Sequence, residues 1–157
     1  MPIIASRPKR TSRKGTTSNA SPESAEGLLG MKSSDIGYVV EKLQQGLPYS
    51  AVNCFVRETG FTLDETGRGM GLNAEAIQRR KLKGVLGFPE SERLHRLSRL
   101  FAKTVALFDG NRAAARKWLT TSKFLLGNAI PLEFAASEMG SREVESLIGR
   151  LEYGIPS

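Results

Sequence analysis

The chain of 157 residues holds one cysteine, Cys54, and one histidine, His95. A lone cysteine excludes an intramolecular disulfide framework, and one Cys with one His excludes a Cys/His zinc cluster. Apolar runs last only a few residues, far short of the roughly 18–20 needed to cross a bilayer. No charged-then-apolar secretion signal opens the sequence. No stretch alternates convincingly enough for a strand, and none repeats another. Acidic residues are scattered, with no pair set out as acid and base. His95 has no orienting carboxylate or nucleophile in the pattern and reads as a surface or partly packed histidine. Cys54, beside Phe55, reads as a small core residue and Trp118 as a core anchor. These absences argue against an enzyme and against a bound metal or cofactor. They leave a soluble cytoplasmic protein with no membrane partner.

Positive charge, by contrast, is plentiful and uneven. Lys and Arg number 23 against 16 Asp and Glu, a formal net charge of +7. Residues 1–22 carry Arg7, Lys9, Arg10, Arg13 and Lys14 and no acid, among Ser, Thr, Pro and Gly with little to bury. That composition predicts a disordered basic tail over 1–27 with affinity for polyanions. A transit peptide is also basic and rich in hydroxyls, but this segment lacks a Leu or Phe stripe at helical spacing.

From residue 33 the apolar spacing is helical almost throughout, which predicts an all-α fold of about eight helices. Ser33 or Ser34 can cap a helix with Ile36, Val39, Val40 and Leu43 on its face, ended by Gly46 and Pro48. A second helix turns Val52, Phe55 and Val56 inward and ends at Gly60. Thr62 and Glu65 have capping-box spacing and open a third helix to about Met70. Asn73 can cap a fourth over about 74–82. Gly87-Phe88-Pro89 is expected to break the chain before the longest helix, from Glu90 or Ser91 to Phe108. Asn111 caps the next, Pro131 opens a short one, and Ser141 is expected to cap the last, with Val144, Leu147, Ile148 and Leu151 inward and Gly154 as its stop.

The stretch from Leu63 to Leu82 has the offsets of a helix-turn-helix. Gly67 is the small residue on the first helix, Gly71 lies in the turn, and Ile77 points inward from the second. Candidate DNA contacts are Arg68, Asn73, Gln78, Arg79, Arg80, Lys81 and Lys83. Arginine pairs with guanine, glutamine with adenine and lysine with phosphate. The competing reading is a solvated charged face. Arg80 departs from the pattern, because the position three after Ile77 should be apolar. Gly67, Gly69 and Gly71 also weaken the first helix, by roughly 1 kcal/mol each against alanine. A phosphate-loop reading of Gly67 to Gly71 fails, since no strand precedes it and no Lys-Ser/Thr pair follows.

Downstream, Glu90-Ser91, Arg93-Leu94 and Arg96-Leu97 follow the helix-turn-helix in a phrase that resembles the Xre/MbcA/ParS antitoxins. The resemblance extends through Ala115, Trp118-Leu119, Leu126-Gly127, Pro131-Leu132, Gly140, Glu143-Val144, Leu147, Gly149-Arg150, Glu152 and Gly154, and covers about residues 60–157. It implies an Xre-like helix-turn-helix domain over 28–108 and a toxin-binding domain over 109–157. It further implies a bacterial antitoxin that covers the active site of a RES-domain toxin, an enzyme that consumes NAD⁺. The same resemblance implies repression of the antitoxin's own promoter DNA as a dimer, in a larger toxin–antitoxin assembly. The implied toxin contacts are Arg150, Glu152, Tyr153, Gly154, Ile155, Pro156 and Ser157. A chain end this apolar is more than an ordinary solvated terminus, although fraying is the default for chain ends. Two rival readings are a stand-alone helix-turn-helix regulator and a nucleic-acid chaperone acting through the basic tail.

Overall fold

Short polar residues that satisfy free N–H groups set most of the helix starts. In a computed structural model of the chain, which describes residues 19–154, Ser24 caps α1 (Ala25–Leu28) and Asp35 caps α2 (Ile36–Gln45). Next comes α3 (Ser50–Thr59), and then α4 (Leu63–Gly69) under a complete Thr62–Glu65 capping box. Asn73 caps α5 (Ala74–Lys83), and α6 (Phe88–Leu107) begins without a side-chain cap. Asn111 caps α7 (Arg112–Leu119), and a 3₁₀ turn (Phe124–Leu126) leads to α8 (Pro131–Phe134). Ser137 caps α9 (Glu138–Glu152). The described residues contain isolated β-bridges but no strand, so the fold is all-α as expected.

Three expected helix starts move. Asp35, not Ser33 or Ser34, accepts from the Tyr38 N–H. Pro89 lies inside the first turn of α6, where its missing N–H costs nothing, so the chain does not break there. The cap of α9 is Ser137, and Ser141 is buried one turn into that helix. On α2, Ile36 and Val40 face solvent, and only Val39 and Leu43 are buried.

The longest helix organises the packing. Leu94, Leu97, Leu100 and Phe101 of α6 are buried, and α1, α2, α3, α7 and α9 all contact this helix. Phe61 stacks on Phe55 with centroids 5.8 Å apart and meets Phe101 edge-on at 5.6 Å. One buried cluster runs from Leu28 to Ile148, so the two expected domains share a core across the turn at Asp109-Gly110. Trp118 is only partly buried against it, and Cys54 is likewise partly exposed.

Part of the segment expected to be disordered is folded. Residues 1–18 lie outside the described residues, and Asn19 bridges Ser33. Leu28 is buried in the core cluster, and α1 packs on α6. Glu26 Oε1 meets His95 Nε2 at 3.0 Å, which supplies the carboxylate partner that His95 lacks in the sequence pattern. Arg112 also donates to the Pro22 carbonyl at 3.2 Å. A four-residue helix is too short for periodicity to reveal.

Candidate functional site

Two helices joined by the four residues Met70 to Asn73 carry the first candidate site. This connection brings α5 back across α4, and Leu72 N–H closes on the Gly67 carbonyl at 2.8 Å. A Cβ on Gly67 would overlap Ile77 Cδ1 and stand 3.0 Å from the Leu72 carbonyl oxygen. One on Gly69 would stand 2.8 Å from Leu132 Cδ1 and 3.0 Å from Leu97 Cδ2. The glycines that weaken α4 are therefore the places where α5, α6 and α8 approach it. The lost helix propensity is offset by contact that a side chain would forbid.

The cations of this unit divide into two groups. Arg68 pairs with Asp64 at 2.8 Å and with Glu133 of α8 at 3.1 Å. Arg80 pairs with Glu90 in the first turn of α6, and Asn73 spends its side-chain oxygen on the Ala76 N–H at 2.8 Å. Gln78, Arg79, Lys81 and Lys83 are exposed on α5. Arg79, Lys81 and Lys83 form no ion pair among the described residues.

The pairing of Arg80 accounts for its departure from the helix-turn-helix pattern. Glu90 is only 7% exposed and supplies the counter-charge that lets an arginine stand where an apolar residue is expected. Sequence reading missed Glu90, because the pair joins two helices through a turn. It also passed over Leu82, which is exposed between Lys81 and Lys83 at the end of α5.

Polar ties fasten this unit to the second half of the chain. Arg116 of α7 donates to Glu65 Oε1 at 2.9 Å. Burial alone would raise the Glu65 carboxyl. The Thr62 backbone N–H and the Arg116 guanidinium outweigh it and hold that carboxyl below its ordinary range. On α3, the Arg112 hydrogen bond does the same for Glu58, against a smaller opposing effect of burial.

The second candidate site is the end of α9. Val144, Leu147 and Ile148 bury one face of the helix, whereas Leu151 is half-exposed. Arg150 lies 3.8 Å from Glu143, and its Nε is buried without a hydrogen-bond partner. Glu152, Tyr153 and Gly154 are exposed. Ile155, Pro156 and Ser157 lie outside the described residues. No helix among the described residues is long and apolar enough to cross a membrane.

Together these features define an all-α protein with a helix-turn-helix unit bolted to a second helical half. Residues 103–154 match the family model described as the antitoxin Xre/MbcA/ParS C-terminal toxin-binding domain. The chain is 31% identical over 130 residues to an antitoxin Xre of Photorhabdus laumondii subsp. laumondii, spanning 82% of this chain and 88% of that one. It is 29% identical over 128 residues to an antitoxin Xre of Yersinia enterocolitica serotype O:8, spanning 81% and 86% respectively. The chain belongs to the Xre antitoxin family and is an antitoxin of a toxin–antitoxin system.

Proposed function

We propose that this antitoxin neutralises a RES-type, NAD⁺-degrading toxin by covering its active site, and represses its own promoter as a homodimer. It acts by binding, in the bacterial cytoplasm, and turns over no substrate. The observation that carries the DNA half is the division of cations on and beside α5. Arg68, Arg80 and Asn73 have structural partners, while Gln78, Arg79, Lys81 and Lys83 remain presented to solvent on one helix. That set combines base-reading side chains with phosphate-binding ones. Basic residues 1–18 add affinity for DNA without adding sequence preference.

For the toxin half, support comes from the family match over 103–154 and from the end of α9, where Glu152, Tyr153 and Gly154 are exposed. Arg150, Glu152, Tyr153 and the segment Gly154 to Ser157 are proposed to meet the mouth of the toxin. The test is co-expression with a RES-type toxin gene from the same operon, if one adjoins this gene, or otherwise with the RES-type toxin of a relative, scoring growth and cellular NAD⁺. Full-length antitoxin should restore both, and a chain lacking Gly154 to Ser157 should fail while keeping its fold. Rescue by the truncated chain at matched abundance would sink occlusion by the C-terminal end. Loss of NAD⁺ that the full chain cannot prevent would sink the assignment of the toxin.

A further inference from the structure

Phe124 is 86% exposed, and Leu125 beside it is 46% exposed, so the two form an apolar protrusion. It is held in place rather than left on a loose loop. Lys123 N–H bonds the Ala129 carbonyl at 3.0 Å, and Asn128 N–H returns to the Lys123 carbonyl at 2.9 Å. Gly127 and Asn128 both take φ of +65°, which folds the turn back on itself. Leu126 is buried beneath it, so Phe124 and the half-exposed Leu125 are pushed outward on a closed base.

Beside this knob lies a cleft of about 280 Å³. Phe108, Ala114 and Trp118 line it, with Thr121 and the cations Lys117 and Lys123 completing the wall. No carboxylate among the described residues lines it. Lys123 Nζ stands 4.9 Å from the centre of the Trp118 ring, and burial pushes its ammonium below the ordinary lysine range. An ammonium held against a ring and partly stripped of water favours an incoming anion. The surface thus offers a rigid aromatic knob next to an apolar hole rimmed only by positive charge.

We propose that the Phe124–Leu125 knob and the adjoining Trp118 cleft form a second anchor for the cognate toxin, separate from the chain end. The knob would enter an apolar pocket on the toxin, and the cleft would take an apolar toxin side chain flanked by a carboxylate that faces Lys117 and Lys123. The occupant is the toxin because every residue of this surface falls inside 103–154, the toxin-binding match. The cation-only rim also calls for an acidic segment. Pre-organisation gives the anchor its strength: the turn is already closed, so little freedom is lost on docking. Buried aromatic anchors of this kind dominate interfaces out of proportion to their area.

The inference rests on the antitoxin–toxin reading above, and the test separates the two. Wild-type and variant full-length chains are titrated calorimetrically against the purified RES-type toxin used in the co-expression test, made inactive. Phe124→Asp and Lys123→Glu should each weaken Kd by 30-fold or more, roughly the loss expected for an anchor position. Phe124→Leu should stay within about fivefold of wild type, since an apolar group of similar reach remains. Because Phe124 is exposed, circular dichroism and Tm of Phe124→Asp should match wild type. Full-strength toxin binding by both Phe124→Asp and Lys123→Glu would overturn the second anchor alone. If Phe124→Asp instead converts a dimer to a monomer with an unchanged toxin Kd, a second copy of the chain occupies this surface and the proposal fails. Absence of toxin binding by the wild-type chain would overturn the antitoxin–RES reading and this surface with it.

Discussion

Arg80 and Glu90 form an ion pair that ties the exposed-cation helix α5 to the first turn of α6. The Arg80 side chain is 33% exposed and that of Glu90 9%, so the carboxylate is the more buried partner. One of its oxygens, Oε2, is buried with no hydrogen bond. Removing Arg80 would leave that carboxylate buried and unpaired. Arg80→Ala should therefore lower unfolding free energy by about 1–3 kcal/mol, the smaller end reflecting the exposed guanidinium. The double variant Arg80→Met/Glu90→Leu should regain most of it, because neither partner is then left stranded. Urea denaturation of the three chains gives the cycle, and a double variant no better than Arg80→Ala would contradict it.

Gly67 presents two opposed effects of similar size. Replacing it with alanine adds helix propensity worth about 1 kcal/mol. The new Cβ would overlap Ile77 Cδ1 and crowd the Leu72 carbonyl, and overpacking of this kind typically costs about 1–3 kcal/mol. The backbone carbonyl cannot rotate away as a side chain could, so crowding should win. We expect Gly67→Ala to be destabilised by about 1 kcal/mol and Gly67→Ala/Ile77→Val to recover part of the loss. A stabilised Gly67→Ala would show that α4 and α5 are free to move apart.

Arg79 and Lys81 should separate base reading from phosphate binding. Arg79→Ala should cost about 1–3 kcal/mol at the promoter and relax preference at one position of the site. Lys81→Ala should weaken all sequences alike and reduce the salt slope by about 1. Promoter binding measured across a salt series distinguishes them. Unchanged affinity in an Arg79→Ala/Lys81→Ala chain would remove α5 from the DNA interface.

Acid should loosen the joint between α4 and α7. The Glu65 carboxyl is held below the ordinary value of 4.5 in the folded chain. A depressed folded pKa means stability that is fully present above the unfolded value and lost as pH falls through the folded one. Melting temperature should hold between about pH 5 and 7 and fall below about pH 4.5. Glu65→Gln should lower Tm at neutral pH and narrow the gap between neutral and acid conditions. An equal acid loss in Glu65→Gln would assign the sensitivity to Glu58 and Glu26, whose carboxyls are also lowered.

Several local signals were legible where a short polar residue acts on its own neighbours. The Thr62–Glu65 capping box, Asn73 and Asn111 at helix starts, and Pro131 at the head of α8 are all where the spacing places them. Each is decided within one turn of backbone. The family relationship was legible for a similar reason, since offsets such as Trp118-Leu119 and Pro131-Leu132 are properties of the sequence alone.

Periodicity misled where it could not say which face meets a neighbour. Ile36 and Val40 share helical spacing with Val39 and Leu43, yet only the second pair is buried in the helix that contacts α6. The segment before residue 28 looked too polar to order. Its anchors are a buried leucine and a carboxylate, Glu26, whose partner His95 lies 69 residues away. The amino-acid sequence by itself determined the all-α class, the caps at Thr62, Asn73 and Asn111 and the antitoxin family, because those depend on interactions within a turn or on residue order. Tertiary structure alone decided which arginines are spent internally and which stay available, because a counter-charge such as Glu90 or Glu133 comes from a different helix. It likewise decided that Phe124 stands in solvent while Leu126, two residues on, is buried, since the closed turn from Lys123 to Ala129 sends the two side chains opposite ways.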